Sequence, residues 1–258
     1  MIVHYGHTRF MLVDDLPIVF LEARSQLNLI SIMRKAQDKL LSWKKIGVAT
    51  TVQHLSELHK IENYLNGIGI EVVVPPKGGH STYCGQIIGC DYTPLKNIAN
   101  LVEAFLIIGS KFHGLGASLA VNKPVVLVEP YSKQVINLRE IRDKIIMRRY
   151  AIINKAKNAN NIGIILGAKL GQHDPKGAIT LKNKFAVLGK TAAIIVADEI
   201  LPSTLDNFSE VEVFVNTACP RMALDDIDRF RRPTLLPKEA LVVIGELKWE
   251  DLVEEGLL

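Results

Sequence analysis

The stretch FLIIGSKFHGLGASLAVNKPVVLVE (105–129) reads as strand, turn, helix, strand. FLII and VVLV are apolar at every position, which suits strands covered on both faces. Between them, Gly109–Ser110 supplies a small-residue turn and His113 to Val121 a short helix, so the stretch is a βαβ unit with parallel strands. On its N-terminal side, IGVATT (46–51) leads into a helix over about 52–66, and EVVVPP (71–76) leads into a Gly-rich loop. On its C-terminal side the plan recurs: IGIILGA (162–168), a helix over 176–188, AAIIVAD (192–198), a helix over 203–208 and VFVNTA (213–218). Gly67 and Gly189 fit helix stops. The basic helix REIRDKIIMRRYAIINKAK (139–157) joins the two units, with Ile141, Ile145, Tyr150 and Ile152–Ile153 at roughly helical spacing.

A shorter pattern recurs three times. An apolar run ends in a turn bearing a reactive side chain, and a Pro then opens a second apolar run. The copies are IVHYGH with PIVFLE (2–7, 17–22), FLIIGSKFHG with PVVLVE (105–114, 124–129) and VFVNTACP with PTLLPKE (213–220, 233–239). Pro17, Pro124 and Pro233 stand 107 and 109 residues apart. A period this long means related domains, not a solenoid. The expected organisation is a remnant of a first domain over 1–28, a complete α/β domain over 29–135 and another over 136–258.

The 258 residues are 48% hydrophobic and 22% charged, with a net charge of +4. That is ordinary for a globular protein and does not call for nucleic acid as a partner. No apolar run reaches the ~18–20 residues of a membrane span. With no charged-then-apolar leader either, a cytoplasmic protein is expected. Three cysteines make no disulfide framework and suit metal ligation, reactive thiols or buried packing.

In open parallel sheets, ligands sit beyond the carboxyl ends of the strands. TACPR (217–221) lies there, with Cys219 at a strand end; FHGLG (112–116) holds the same place one unit earlier. YCGQIIGC (83–90) follows a second strand. Cys84 reads as a small buried hydrophobe, His4 as structural, and His113 equally as structural or functional. There is no Gly-x-Gly-x-x-Gly turn, Walker loop or Cys-x-x-Cys pair. Three dispersed cysteines do not make a zinc site, but they suit an iron–sulfur cluster with one open iron.

VHYGHT (3–8), GQIIGC (85–90), GSKFHGLGASLAVNKPVVLVEPY (109–131), KLGQ (169–172) and above all FVNTACPR (214–221) resemble the archaeal diphthamide synthases, the 2-(3-amino-3-carboxypropyl)histidine synthase family. The resemblance covers essentially the whole chain. It implies three related α/β domains around a pseudo-threefold centre, here two complete and one remnant, each giving one cysteine to a single 4Fe-4S cluster. It implies a homodimer or a heterodimer with a paralogue, an electron donor, and radical transfer of an aminocarboxypropyl group from S-adenosylmethionine to a histidine of elongation factor 2. Carried across residue by residue, Cys90 matches the second ligand and Cys219 the third. The S-adenosylmethionine pocket is expected near Gly109, His113, Gln172 and Arg221, with Arg221 able to fork onto a carboxylate.

One ligand departs from the pattern. The family's first cysteine lies in a CYGACD-like segment upstream of HYGH, and no cysteine stands near His4–Thr8 here. The period suggests roughly 70–85 further residues before Met1, or else a shortened paralogue; in either case this chain alone is expected to be inactive or nearly so. Three rivals remain open: a non-catalytic partner subunit, a quinolinate-synthase-like dehydratase, and a plain small-molecule-binding α/β protein.

Overall fold

The computed structural model describes residues 1–9, 17–169, 171–225 and 229–258; Leu170 of the KLGQ stretch lies outside them. The chain divides into two compact units, Met1–Arg142 with Leu258, and Asp143–Leu257.

The first unit opens with β1 (Ile2–Tyr5) and β2 (Ile18–Leu21), a parallel pair. Ile2, Val3, Tyr5, Val19 and Leu21 are all exposed. Helix α1 (Ile30–Leu40), β3 (Lys45–Thr50), a 3-10 turn (Val52–Glu57) and α2 (Leu58–Gly67) follow. Then come β4 (Glu71–Val73), α3 (Thr93–Lys96), β5 (Ala104–Ile108), α4 (Lys111–Ala120), β6 (Val125–Glu129) and β7 (Gln134–Asn137). The sheet order is β4-β3-β5-β6-β7, parallel except for β7, which returns antiparallel on the edge.

Alternation along each strand explains why the runs are apolar throughout. Leu106, Ile108, Val126 and Val128 pack with Met33, Leu40, Ile61 and Leu65 of α1 and α2. Phe105, Ile107, Val125 and Leu127 pack with Leu95, Ala117 and Ala120 of α3 and α4 on the opposite face. The turn Pro130–Lys133 before β7 includes the left-handed Lys133 (φ 54°).

The second unit takes most of α5 (Arg139–Ala156), then β8 (Asn161–Gly167), α6 (Pro175–Val187), β9 (Thr191–Ala197), α7 (Pro202–Asp206) and β10 (Val213–Asn216). It ends with α8 (Pro220–Asp225), β11 (Thr234–Leu235), α9 (Pro237–Val243) and α10 (Trp249–Glu255). Its parallel sheet has the order β11-β10-β8-β9. In each of these two sheets the first strand in sequence therefore lies between the second and third, with the fourth beyond.

A shared packing detail goes with the shared order. Gly47 of β3 stands beside Phe105 of β5, and Gly163 of β8 stands beside Phe214 of β10. A Cβ on Gly47 would come within 2.5 Å of the Phe105 ring, and one on Gly163 within 2.8 Å of the Phe214 ring. Each glycine makes room for the aromatic ring on the neighbouring strand.

Three local expectations change. The helix after β3 starts as a 3-10 turn, and its left-handed stop is Gly69 (φ +88°), not Gly67, which is still helical. Helix α4 starts at Lys111, so His113 falls in its first turn instead of opening it. The buried face of α5 carries Arg149, Ile153 and Ala156, whereas Ile141 and Tyr150 are exposed.

Candidate functional site

Cys90 sits at the corner of a tight turn. The N–H of Asp91 donates to the carbonyl of Ile88 at 2.9 Å, closing Ile88–Asp91, and the Cys90 residue is exposed. Three neighbours fix this corner. The Tyr92 hydroxyl donates to the Gly89 carbonyl at 3.0 Å. The Asp91 carboxylate accepts from the backbone N–H groups of Thr93 (2.9 Å) and His80 (2.5 Å), and His80 Nδ1 lies 3.0 Å from it. Burial opposes ionisation of Asp91, but these hydrogen bonds outweigh it and hold the carboxyl below its usual range. The ring of Phe112 lies so close to Gly89 that a Cβ there would come within 1.9 Å of it.

Upstream, the same loop is laid onto the end of β3. Thr50 N–H donates to the Gly85 carbonyl and Ile87 N–H to the Thr50 carbonyl, both at 2.8 Å. Gly85 has φ +74°, a conformation that favours glycine. Gln86 is buried; its Oε1 accepts from the N–H groups of Thr82 and Tyr83, and its Nε2 donates to Thr8 Oγ1 at 2.8 Å. Gln53 Nε2 donates to the Gly6 carbonyl, and the Tyr83 hydroxyl donates to Glu22. The N-terminal strands are thus tied to the loop that carries Cys84 and Cys90. Cys84 is exposed instead of buried, which corrects the packing expectation for it.

Phe112 also links Cys90's turn to the end of β5. His113 follows it, with the two rings edge to face at 5.5 Å, and His113 Nδ1 lies 2.9 Å from Ser110 Oγ. A Cβ on Gly109 would meet His113 at 3.4 Å, an ordinary contact. Cys90, Gly109 and His113 therefore share one end of the first sheet.

In the second unit, Cys219 is half-buried between β10 and α8. Asn216, at the end of β10, brackets this three-residue loop: its Oδ1 accepts from Ala218 N–H at 3.0 Å and its Nδ2 donates to the Cys219 carbonyl at 2.8 Å. Thr217 Oγ1 and N–H both donate to the Ile165 carbonyl of β8. Gln172 meets the loop over Gly167, where an added Cβ would touch the Gln172 carbonyl at 2.8 Å and Ala218 Cβ at 2.9 Å. Arg221 lies in the first turn of α8 and is only 4% exposed, so a ligand would meet it below the surface.

His54 was not singled out as a candidate from the sequence. It is 2% exposed at the carboxyl end of β3, and its Nδ1 is buried with no hydrogen-bond partner among the described residues. Its ring faces Tyr131, just after β6, at 5.7 Å. Burial holds its pKa below the ordinary 6.5, and Glu57 offsets this only in part. The matching histidine of the second unit, His173, is satisfied: its Nδ1 lies 2.8 Å from the Gly167 carbonyl. The signal was the repeated Gln–His pair, Gln53–His54 and Gln172–His173.

Among the described residues, no group of three or more His, Cys, Asp or Glu side chains could hold a metal ion. Cys90 and Cys219 each suit a thiolate ligand on a well-fixed backbone. No described helix is long and apolar enough to cross a membrane.

The family model described as "Putative diphthamide synthesis protein" matches residues 1–253. The chain is 32% identical to the 2-(3-amino-3-carboxypropyl)histidine synthase of Pyrococcus horikoshii, over 95% of this chain and 70% of that protein. It is 27% identical to subunit 1 of the Schizosaccharomyces pombe synthase and 28% identical to the human subunit 1, spanning 59% and 57% of their lengths. Among solved structures, Dph2 from Pyrococcus horikoshii with a 4Fe-4S cluster matches with a TM-score of 0.85 at 30% identity, over 95% of this chain and 71% of that one. With a matching family model over nearly its full length and the same fold at 30% identity, the chain belongs to the diphthamide synthesis protein family.

Proposed function

We propose that this protein takes part in the first step of diphthamide formation, transferring the 3-amino-3-carboxypropyl group from S-adenosylmethionine to a histidine of elongation factor 2. The name of the archaeal relative and the cluster in the Dph2 structure support the reading. The local observation that carries it is the Cys219 loop. Asn216 and Thr217 hold three residues at a strand end so that a thiol sits where an α/β sheet binds ligands. Cys90 is the second proposed thiolate, on a turn braced by Asp91, Tyr92 and Phe112.

A 4Fe-4S cluster, when bound, supplies a one-electron reductant and an open iron for a substrate. The chain's own part is to fix the thiolates, orient the cofactor and shield the site from water. Gly109, His113 and Gln172, with the buried Arg221, are the proposed cofactor-contacting residues; Arg221 suits a carboxylate, in fork geometry. The sequence holds only Cys84, Cys90 and Cys219. A third thiolate would be Cys84 or come from outside this sequence; a subunit that completes its site with a paralogue is the second reading. An external electron donor, a dimeric assembly, a cytoplasmic setting and the domain limits 1–28, 29–135 and 136–258 belong to the same proposal.

The test is transfer of label from S-adenosylmethionine to elongation factor 2 under anaerobic, reducing conditions, run alone and with a complete family member inactivated at its own third ligand. Label appearing in either mixture, and lost with Cys219→Ser, is expected. No label in either, or label that survives Cys219→Ser, contradicts the reading.

A further inference from the structure

Arg149 is the largest fully buried side chain among the described residues, with 0% exposure. It lies on α5, and all three guanidinium nitrogens donate hydrogen bonds. Nε donates to Glu239 Oε1 at 2.8 Å, and Nη2 completes a fork onto Glu239 Oε2. Nη1 donates to the Ala223 carbonyl of α8 at 2.8 Å, and Nη2 to the Thr234 carbonyl of β11 at 2.7 Å. Glu239 is also buried, and its Oε2 accepts from the Leu236 N–H at the start of α9. One cation thus joins four elements of the second unit.

Two of these elements flank Cys219. Helix α8 begins at Pro220, the next residue, and has only six residues, so the Ala223 carbonyl falls among the terminal carbonyls that lack an intrahelical partner. β11 is the neighbour of β10, whose end carries the loop. Asn216 and Thr217 hold the strand side of the loop. On the helix side, the Met222 N–H donates to the Cys219 carbonyl within the turn itself, and Arg149 ties the Ala223 carbonyl of α8 to the rest of the unit.

A buried ion pair is a poor device for stability alone, because removing two charges from water costs about as much as their attraction returns, and an apolar pair of similar volume often does as well. What an apolar pair cannot do is donate to two backbone carbonyls in fixed directions. We infer that Arg149 is a positioning residue: paired with Glu239, it locks α8 against β11 and so sets the place and rigidity of the Cys219 thiol. The purpose of that rigidity rests on the reading of Cys219 as a cluster ligand; the lock itself does not.

The experiment reads thiol reactivity in the iron-free full chain, with Cys84 and Cys90 as internal references. Rates of alkylation by iodoacetamide are followed at each cysteine by peptide mass spectrometry. Arg149→Met alone leaves Glu239 buried and unpaired and threatens folding, so the decisive variant is Arg149→Met with Glu239→Leu, checked by circular dichroism and thermal melting. Arg149→Lys keeps the charge but loses the fork. Loss of two charge-assisted hydrogen bonds to the backbone is expected to change Cys219 alkylation by about tenfold or more in the folded double variant, with a smaller change in the lysine variant. Cys84 and Cys90 should stay within about twofold, as expected for sites that share no partner with the substituted pair. An unchanged Cys219 rate in the folded double variant overturns the inference, and so does an equal change at all three cysteines. Failure of the wild-type protein to take up iron on reconstitution, alone or with a family member inactivated at its own third ligand, would instead sink the cluster reading and leave the alkylation result standing.

Discussion

Gly89 has no side chain because the Phe112 ring occupies the place of one. Gly89→Ala must push either the ring or the turn, and Cys90 is the next residue. The variant is expected to fold while binding reconstituted iron at least about tenfold less well, since a ligand moved by an ångström loses most of its bond. Normal iron loading by a folded Gly89→Ala protein would show that the turn has slack. His54 allows a test of opposite sign. Leaving its Nδ1 buried and unpartnered costs about 1–3 kcal/mol, so His54→Phe is expected to keep or raise Tm in thermal melting. Its pH dependence has a definite direction. Burial lowers the pKa in the folded protein below the ordinary 6.5, so the unfolded chain takes up the proton first. Stability from the neutral ring is full above about pH 6.5 and is lost as pH falls below it. Wild-type Tm should therefore drop more than that of His54→Phe between about pH 7 and pH 5; parallel curves would exclude a titrating His54.

At the scale of elements, the strands were legible because each is apolar on both faces and short. IGVATT and FLIIGS became β3 and β5 within a residue or two. β7 and the two C-terminal helices were not read. The β7 edge strand has no apolar run, and its turn depends on a left-handed lysine; α9 starts from Pro237 and a Glu239 whose partner is distant. The site was legible as residue types at strand ends, but its construction was not. Arg149 stands in a basic helix that reads as a solvated connector, and the glutamate that explains its burial lies 90 residues away. The Gly–Phe pairs lie between these extremes, visible as IG in both first strands yet meaningful only once β3 meets β5 and β8 meets β10. Each glycine-to-alanine change, at Gly47 or Gly163, should cost about 1–3 kcal/mol in denaturant unfolding, because the added carbon overpacks a ring. A cost below about 0.5 kcal/mol, typical of a surface change, would mean the rings can yield.

At the scale of the whole molecule, two units repeat one strand order, and each presents a cysteine on a loop built by its own side chains: Asp91 and Tyr92 in one, Asn216 and Thr217 in the other. The central claim is that these two thiols, and not Cys84, are cluster ligands. Anaerobic reconstitution with iron and sulfide, read by iron content and by electron paramagnetic resonance after reduction, tests it directly on the wild-type protein and the three single cysteine-to-serine variants, each alone and with a family member inactivated at its own third ligand. The account predicts a reducible cluster in the wild type, lost with Cys90→Ser and Cys219→Ser and kept with Cys84→Ser. A cluster that survives Cys90→Ser or Cys219→Ser, or that depends on Cys84 in place of either, would contradict it.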